Sequence, residues 1–282
     1  LFHPRRMIKV TGGDYDSIVF IDYSQVELRV QAMYTLFTSD GDTNLCRAYM
    51  PFKCVNNKGE KYDPFNKEHQ KRWNSGEWYL EENSKTKWEP VDLHSATTKN
   101  IFPNVSETDK DFKRLRSIGK TTNFACNYGA TGPALAAQLN DDRELGEKAF
   151  KAYQKTFPKI QQYKQFVKEQ INTKGYAENL FSRKYYNTSA HEASNYLVQG
   201  SAADFLKQKI IEVDSFLEKG NYKTKLQMNI HDELSFEVHK DDPKDLTDKI
   251  KNIMEQLDES PIPIVGDKEI TYTTWDEKRD ME

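Results

Sequence analysis

Three carboxylates stand beside apolar runs that could place them at strand ends. Asp22 follows a continuous apolar run, and Asp232 and Glu233 interrupt the apolar-rich segment Leu226–Val238. Neighbouring carboxylates repel each other unless water, a cation or a basic partner neutralises them. Carboxylates brought together in this way can bind two divalent ions for phosphoryl or nucleotidyl transfer, and Mg²⁺ suits such all-oxygen ligands. An exposed acidic hairpin tip would give the same local pattern.

A second set of residues recurs every four positions, namely Arg116, Lys120, Phe124 and Tyr128. On an α-helix each such step advances about 40° beyond a full turn, so the four side chains form one slowly winding stripe. The start of this stripe is cationic and its end is aromatic. A phosphate chain could lie on the cations while a base stacks near the rings. An ordinary amphipathic helix with an Arg and a Lys reaching into water would give the same spacing.

The elements that must position these side chains can be read from the hydrophobic pattern. The run Ile18–Ile21 predicts a buried strand, and Leu226–Ile230 and Leu234–Val238 predict the strands of a β-hairpin. A helix is expected from Ser24 to about residue 37, and Glu27 could complete its N-terminal capping box. Further helices are expected over 132–139, 143–157, 159–173 and 243–257, and an edge strand over 269–274.

Composition sets the remaining limits. The 282 residues can bury one core or two subdomains that share one. Lysine and arginine number 41 against 44 acidic residues, and this balance does not by itself indicate a nucleic-acid-binding protein. The three cysteines are too few for a disulfide framework, and neither a long apolar span nor a signal peptide is recognisable. We therefore expect a cytoplasmic protein without a membrane partner.

Taken in order, these stretches resemble the motifs of family A DNA polymerases, the bacterial DNA polymerase I-like and phage group. Asp22–Arg29 is similar to motif A, Arg116–Gly129 to motif B, and His231–Glu233 to motif C. The resemblance implies an α+β fold, with an antiparallel palm sheet backed by helices and a helical fingers subdomain. It also implies that the cytoplasm is that of a bacterial cell or an infected host cell. It divides the chain into a first palm part (1–45), a family-atypical insertion (46–91), the fingers (92–175) and a second palm part (176–282).

The resemblance also implies an activity, which is template-directed addition of deoxynucleotides to a primer 3′-hydroxyl with release of pyrophosphate. Asp22 and Asp232 would hold two Mg²⁺ ions with the carbonyl of Tyr23, Glu233 would support them, and Lys120 could protonate the pyrophosphate. The side chains implied to contact the nucleotide are those of Gln25, Glu27, His94, Arg116, Lys120, Phe124 and Tyr128. Those implied to contact primer–template DNA are Arg29, Arg183, Asn195, Gln199 and His231.

The side chain of Glu27 is implied to lie beneath the incoming sugar and to exclude a 2′-hydroxyl, although a capping-box role explains it locally. The chain departs from the family pattern at Gly119 in motif B, at His191 where relatives more often carry Arg, and at Leu197 where they carry Pro. The segment 46–91 is expected to form a small hairpin-like subdomain of unknown role.

Four alternatives to a self-sufficient DNA polymerase remain open. Only 21 residues precede Asp22, whereas relatives carry a thumb and often an exonuclease there. We therefore expect either a fragment or one half of a split polymerase that needs a second chain. A single-subunit RNA polymerase shares much of the pattern but lacks an equivalent of Glu27, and a polymerase-derived module that only binds nucleic acid would not need intact Asp22 and Asp232.

Overall fold

The computed structural model describes residues 4–281. The chain separates into two compact units. The first consists of Leu1–Val26, Ala202–Asp258 and Ile264–Glu282, and the second of Glu27–Ser201 and Glu259–Pro263. The predicted α+β class is confirmed. The predicted division into palm parts, insertion and fingers remains a prediction, and its first three residues lie outside the described part of the chain.

Ten α-helices and ten strands occur between residues 4 and 281. The helices are α1 (Val26–Thr38), α2 (Thr43–Arg47), α3 (Lys67–Lys71), α4 (Leu93–Ile101), α5 (Phe112–Asn127), α6 (Gly132–Gln138), α7 (Arg143–Thr156), α8 (Lys159–Lys174), α9 (Ala190–Lys219) and α10 (Leu246–Glu255). The strands are β1 (Tyr15–Tyr23), β2 (Cys54–Asn56), β3 (Trp78–Leu80), β4 (Asn83–Lys87), β5 (Tyr176–Glu178), β6 (Lys184–Tyr186), β7 (Lys225–Ile230), β8 (Glu233–His239), β9 (Gly266–Thr271) and β10 (Arg279–Asp280).

The first unit is built on an antiparallel sheet of strand order β10-β9-β1-β8-β7. The central strand β1 is the predicted apolar run, and its residues Ile18–Ile21 are completely buried. Helix α10 covers the sheet with Leu246, Ile250 and Met254, and the Tyr23 hydroxyl donates a hydrogen bond to the Met254 carbonyl over 2.7 Å. The predicted strand and the predicted hairpin of β7 and β8 are both confirmed.

The prediction of an edge strand over 269–274 is wrong in one respect. The strand forms as β9, but it lies inside the sheet, because β10 pairs with its outer side through Arg279 and Asp280. A polar strand of two residues carries no periodicity, so the sequence pattern could not reveal it.

Helices dominate the second unit between residues 93 and 174. The helices predicted around Pro158 form as α7 and α8 within two residues of their expected ends. Gly119 lies where α5 packs against α4, and a Cβ atom there would lie 2.6 Å from the backbone oxygen of His94 and closer still to the Thr98 hydroxyl. Close helix packing therefore explains a glycine that costs about 1 kcal/mol in a helix interior.

The segment 46–91 is folded, as predicted. Strands β2, β3 and β4 form a separate antiparallel sheet, and Trp78 is almost completely buried on it. The Trp78 ring packs edge-on against Tyr62, with ring centroids 5.0 Å apart, and against His69 at 5.1 Å. These contacts give the segment a small aromatic core of its own.

No helix between residues 4 and 281 combines the length and the apolar character that a membrane crossing requires. Cys46, Cys54 and Cys126 are buried free thiols.

Candidate functional site

The sheet of the first unit gathers the three predicted carboxylates into one cluster, which consists of Asp22, Asp232 and Glu233. The register of β1 against β8 sets Asp22 directly opposite Glu233, and the Tyr23 amide donates a hydrogen bond to the Asp232 carbonyl over 3.2 Å. His231 has a φ of 57°, which allows the chain to turn between β7 and β8. The backbone ladder, rather than side-chain contacts, thus holds the carboxylate cluster together.

The electrostatics of the carboxylate cluster favour a cation. Burial, together with the charges of Asp232 and Glu233, raises the pKa of Asp22 to about 6, against the opposing effect of Lys278. A carboxyl group whose negative charge is disfavoured by burial and by its neighbours gains stability when a positive ion approaches. Carboxylate and carbonyl oxygens are the ligands that hard divalent ions such as Mg²⁺ prefer, so the chemistry of these donors suits such an ion. Within residues 4–281, however, no three His, Cys, Asp or Glu side chains lie close enough together to hold a metal ion, and the two Mg²⁺ ions remain a prediction.

Lys278 is a member of this region that the sequence did not predict. Its ammonium group donates a 2.6 Å hydrogen bond to Glu233 and also pairs with Glu269. Burial alone would lower the pKa of Lys278, but the bonds to the two glutamates outweigh it, so the pKa is raised. In the sequence, Lys278 is one charge in an acidic terminal segment. Its place beside Glu233 depends on the pairing of β10 with β9.

The stripe of the second unit is helical, as predicted. Arg116, Lys120 and Phe124 lie on α5, and Tyr128 immediately follows its last residue. Phe124 and Tyr128 are 41% and 49% exposed, so both rings can be reached by a ligand. The Tyr128 hydroxyl donates a hydrogen bond of 2.8 Å to the carboxylate of Glu27. This contact joins two residues that the family resemblance assigned to the nucleotide.

Arg116 is already paired. Its Nε and Nη2 atoms lie 2.8 and 2.7 Å from Oδ2 of Asp92. The other oxygen of Asp92 accepts hydrogen bonds from the amides of His94 and Ser95 and so caps α4. Burial tends to raise the pKa of Asp92, but the bonds from Ser95 and Arg116 lower it overall. A phosphate group that binds Arg116 must therefore share or displace this carboxylate.

His94 lies beside the stripe, as expected from its predicted role. The residue is 9% exposed, and its ring centroid is 5.7 Å from that of Phe124. Its Nδ1 atom is 3.1 Å from the side-chain amide nitrogen of Asn123, a residue that sequence reasoning did not single out. Burial lowers the pKa of His94, and the nearby charges of Arg116 and Lys120 lower it further against Asp92.

The residues predicted to face the duplex minor groove lie close to Tyr128. The Asn195 side chain donates a hydrogen bond of 3.2 Å to the Tyr128 carbonyl, and a ring nitrogen of His191 is 3.1 Å from the Gly129 carbonyl. A cavity of about 20 Å³, large enough for one water molecule, is lined by Glu27, Gln31, Asn127, Tyr128, Asn195, Val198 and Gln199. Gln199 thus lines the same cavity as Glu27 and Tyr128, which are predicted to lie near the sugar and the templating base.

The remaining predicted contacts differ in accessibility. Arg183 and His231 are exposed, and Gln25 is exposed in the turn before α1 with a φ of 54°. Arg29, in contrast, is 7% exposed, and its guanidinium group lies over the Tyr49 ring and donates to the Pro263 carbonyl over 2.6 Å. In this conformation Arg29 supports the protein interior, and its contact with DNA remains a prediction.

Comparison with known proteins decides the family. The sequence profile of DNA polymerase family A matches residues 3–277. The chain belongs to DNA polymerase family A. The recognition made from the motifs is therefore confirmed, and members of this family use divalent metal ions. Lys278 lies just beyond the matched residues.

Individual relatives agree with this assignment. DNA polymerase I of Streptococcus pneumoniae is 30% identical over 203 residues, which are 68% of this chain and 23% of that protein. DNA polymerase I of Bacillus caldotenax is 28% identical over 200 residues, 67% of this chain and 23% of that protein. The chain thus spans less than a quarter of the length of these curated relatives.

A solved structure shows the same fold. The POL domain of Pol1 from M. smegmatis, determined in complex with DNA primer-template and dNTP, matches with a TM-score of 0.70 at 23% identity. The match covers 96% of this chain and 42% of that one.

Proposed function

We propose that this chain catalyses template-directed DNA synthesis, in which a primer 3′-hydroxyl attacks an incoming deoxynucleoside triphosphate and pyrophosphate leaves. The observation that carries the proposal is the β1–β8 register, which sets Asp22 opposite Glu233 beside Asp232 in a member of family A. The solved M. smegmatis domain contains primer-template and dNTP, which supports the same two partners here.

The carboxylates would hold the metal ions. Asp22 and Asp232 would be the ligands of two Mg²⁺, with the carbonyl of Tyr23 assisting, and water and phosphate oxygens would complete each coordination shell. When bound, such ions lower the pKa of the attacking hydroxyl and neutralise the triphosphate. Glu233, which Lys278 holds at 2.6 Å, would orient these ligands from a fixed position.

The cationic part of the stripe would act on the triphosphate. Arg116 would exchange its contact with Asp92 for a phosphate oxygen, and Lys120 would bind beside it. Lys120 would also donate a proton to the departing pyrophosphate. His94 would offer a hydrogen bond to the same group of oxygens.

The aromatic part of the stripe and Glu27 would select the sugar. Phe124 would pack on the sugar ring, and Glu27, held by the Tyr128 hydroxyl at 2.8 Å, would lie where a 2′-hydroxyl would need space. An added hydroxyl there would clash and lose its hydration without a suitable partner. Gln25 would contact the nucleotide from the turn before α1, and Tyr128 would close over the templating position.

The duplex would contact a second set of side chains. Asn195 and Gln199, four residues apart on α9, would face the minor groove, and Arg29, Arg183 and His231 would contact the DNA strands. A thumb, and an exonuclease where one is present, would reach the duplex either as further parts of a longer polypeptide or as a second chain.

Primer extension on a defined template tests the proposal, with Mg²⁺ and either dNTPs or rNTPs. We expect extension with dNTPs, its loss in Asp232→Ala, and its retention in Asp241→Ala, which removes an exposed carboxylate of the same unit. Equal use of rNTPs would indicate an RNA polymerase instead. DNA binding without extension, even when the DNA is in large excess, would indicate a module that only binds nucleic acid or a chain that needs its partner.

A further inference from the structure

A buried amide connects the two helices that carry the predicted triphosphate contacts. Asn123 on α5 is 2% exposed, and its side chain reaches the first turn of α4. Its Oδ1 atom accepts a hydrogen bond of 2.7 Å from the Thr97 hydroxyl. Its Nδ2 atom lies 3.0 Å from the Leu93 carbonyl and 3.1 Å from Nδ1 of His94. Asn123 thus makes three contacts in a region that excludes water.

The Leu93 carbonyl fixes which way this amide points. A backbone carbonyl can only accept hydrogen bonds, so the amide must turn its NH₂ group, and not its oxygen, towards Leu93. The opposite orientation would place two acceptors 3.0 Å apart in a buried site, which leaves both unsatisfied. The Thr97 hydroxyl, which can donate, is correctly placed for the amide oxygen.

The orientation of the amide in turn fixes the histidine. One NH₂ hydrogen of Asn123 points to Leu93, and the other points to Nδ1 of His94. An Nδ1 atom that faces an N–H donor must use its lone pair, so the ring proton resides on Nε2. A protonated ring would place two N–H groups against each other. The low pKa that burial gives His94 is consistent with a neutral ring.

The Nε2–H group is the open end of this chain of hydrogen bonds. Within residues 4–281, Nε2 of His94 has no hydrogen-bond partner. It is not among the fully buried polar atoms that lack a partner, so a ligand can reach it. The charged groups that face the ring are Asp92 at the start of α4, and Arg116 and Lys120 on α5. Helix α7, which also packs on α4, presents the neutral Thr156 hydroxyl to Asn100 there.

We propose that Asn123 is a positioning residue that holds His94 as the neutral Nε2–H tautomer, so that the ring presents a directed donor to an anionic oxygen of the bound nucleotide. The part of this inference that concerns the nucleotide rests on the proposed function, whereas the tautomer does not. Arg116 and Lys120 already supply positive charge to the site. A neutral donor of fixed direction adds geometric selection without a third cation, which the other two would repel.

The tautomer can be measured directly by NMR on the whole chain with ¹⁵N-labelled histidine. The His94 signals are assigned by their loss in His94→Gln, and two-bond couplings show which ring nitrogen carries the proton. We expect the wild-type ring at neutral pH to be protonated on Nε2 alone. Protonation on Nδ1, or on both nitrogens, would overturn the proposal.

A second experiment replaces the amide of Asn123 and measures the tautomer again. Asn123→Asp keeps the shape of the side chain but offers Nδ1 only an acceptor, so the proton should move to Nδ1 or the ring should become charged. The matched control is Thr97→Val, which removes the bond to the opposite end of the amide and should leave the Nε2–H tautomer unchanged. If Asn123→Asp is folded by circular dichroism and keeps the wild-type tautomer, the amide does not set it. If Asn123→Asp does not fold, Asn123→Ser gives the same decision, because the shorter side chain removes the amide donor from Nδ1 and should leave a mixture of tautomers.

Nucleotide binding separates this inference from the proposed function. Where Asn123→Asp moves the ring proton to Nδ1, its dNTP KM at neutral pH should rise about tenfold with a smaller change in kcat, since one directed hydrogen bond to a charged group is lost. A charged ring in this variant would keep the Nε2–H donor, and its KM should then not rise. A correct tautomer with no nucleotide binding by the wild type would refute the proposed function and leave the tautomer intact. An altered tautomer with unchanged KM would show that His94 does not contact the nucleotide.

Discussion

The carboxylate cluster of the first unit and the stripe of the second unit differ in how far their charges are neutralised within the protein. In the first unit, backbone pairing forces Asp22 and Glu233 together, and burial and repulsion raise the pKa of Asp22 to about 6. In the second unit, the cation Arg116 is paired with Asp92, and the buried side chain that joins α5 to α4 is the neutral amide of Asn123. We therefore expect an added cation to stabilise the cluster, and we expect Arg116 of the stripe to exchange Asp92 for a phosphate oxygen when a nucleotide binds.

This difference has a consequence for mutations. The carboxylates are positioned by a sheet that forms without them, so their removal should affect chemistry far more than folding. The residues around the stripe are positioned by side-chain contacts between α4 and α5, so changes there should affect folding and substrate binding together.

The largest expected effect is the loss of a cluster carboxylate. Asp232→Asn should reduce single-turnover extension by about a thousandfold or more, because an amide does not replace a charged metal ligand. Its free energy of unfolding should stay the same or increase, since one repulsive charge is removed. Chemical denaturation and extension on the same preparations test both parts. A large loss of stability would show that the sheet does depend on the carboxylates.

The next effect is on the packing of the second unit. Gly119→Ala should reduce the free energy of unfolding by about 2 kcal/mol, because its new methyl group meets the His94 carbonyl and Thr98. Ser117→Ala, at an exposed position of the same helix, is the control and should change stability by less than about 0.5 kcal/mol. Urea unfolding of both variants distinguishes them. A stable Gly119→Ala would mean that α4 and α5 are not so tightly packed.

Substitution of Lys278 should have opposite effects on folding stability and on Mg²⁺ binding. Lys278→Met should reduce stability by about 1–2 kcal/mol, because Glu233 and Glu269 lose a partly buried partner. The same change should strengthen binding of Mg²⁺, because a competing positive charge has been removed. Lys278→Arg should restore stability. Calorimetric titration of Mg²⁺ beside thermal unfolding measures both, and weaker Mg²⁺ binding in Lys278→Met would contradict this view of the cluster.

The smallest effect concerns sugar selection. Tyr128→Phe removes the hydrogen bond to Glu27 and should increase the use of rNTPs relative to dNTPs about fivefold, since a bond worth about 1 kcal/mol no longer holds the carboxylate. Glu27→Ala, which removes the carboxylate itself, should relax selection further. Competitive incorporation of the two nucleotides is the measurement. An unchanged ratio in Tyr128→Phe would leave Glu27 acting without this support.

Local patterns were sufficient for much of the fold. The apolar run of β1 and the alternating hairpin of β7 and β8 have the periods of buried and half-buried strands, and Pro158 separates α7 from α8. The four-residue spacing of the stripe requires only the geometry of a helix. The apolar runs likewise predicted that Asp22 would lie at the end of a strand and Asp232 at the tip of a hairpin.

What the sequence could not supply are contacts between distant segments. Arg116 and Asp92 are 24 positions apart, and neither residue type indicates which partner it has in the fold. Asn123 reads as a polar residue in a helix until α4 is packed against it, and Lys278 depends on a two-residue strand. These contacts determine the charge and direction of the predicted site residues, and no local sequence pattern reveals them.

The most direct test of this account is a Mg²⁺ titration of single-nucleotide extension, with excess primer–template and the wild-type chain beside Asp22→Asn. The exposed-carboxylate variant Asp241→Asn serves as the matched control. We expect extension by the wild type and the control to rise with Mg²⁺ to a plateau, and Asp22→Asn to remain inactive at every concentration. Extension by Asp22→Asn with the same Mg²⁺ dependence would contradict the assignment of the carboxylate cluster as the metal-binding centre.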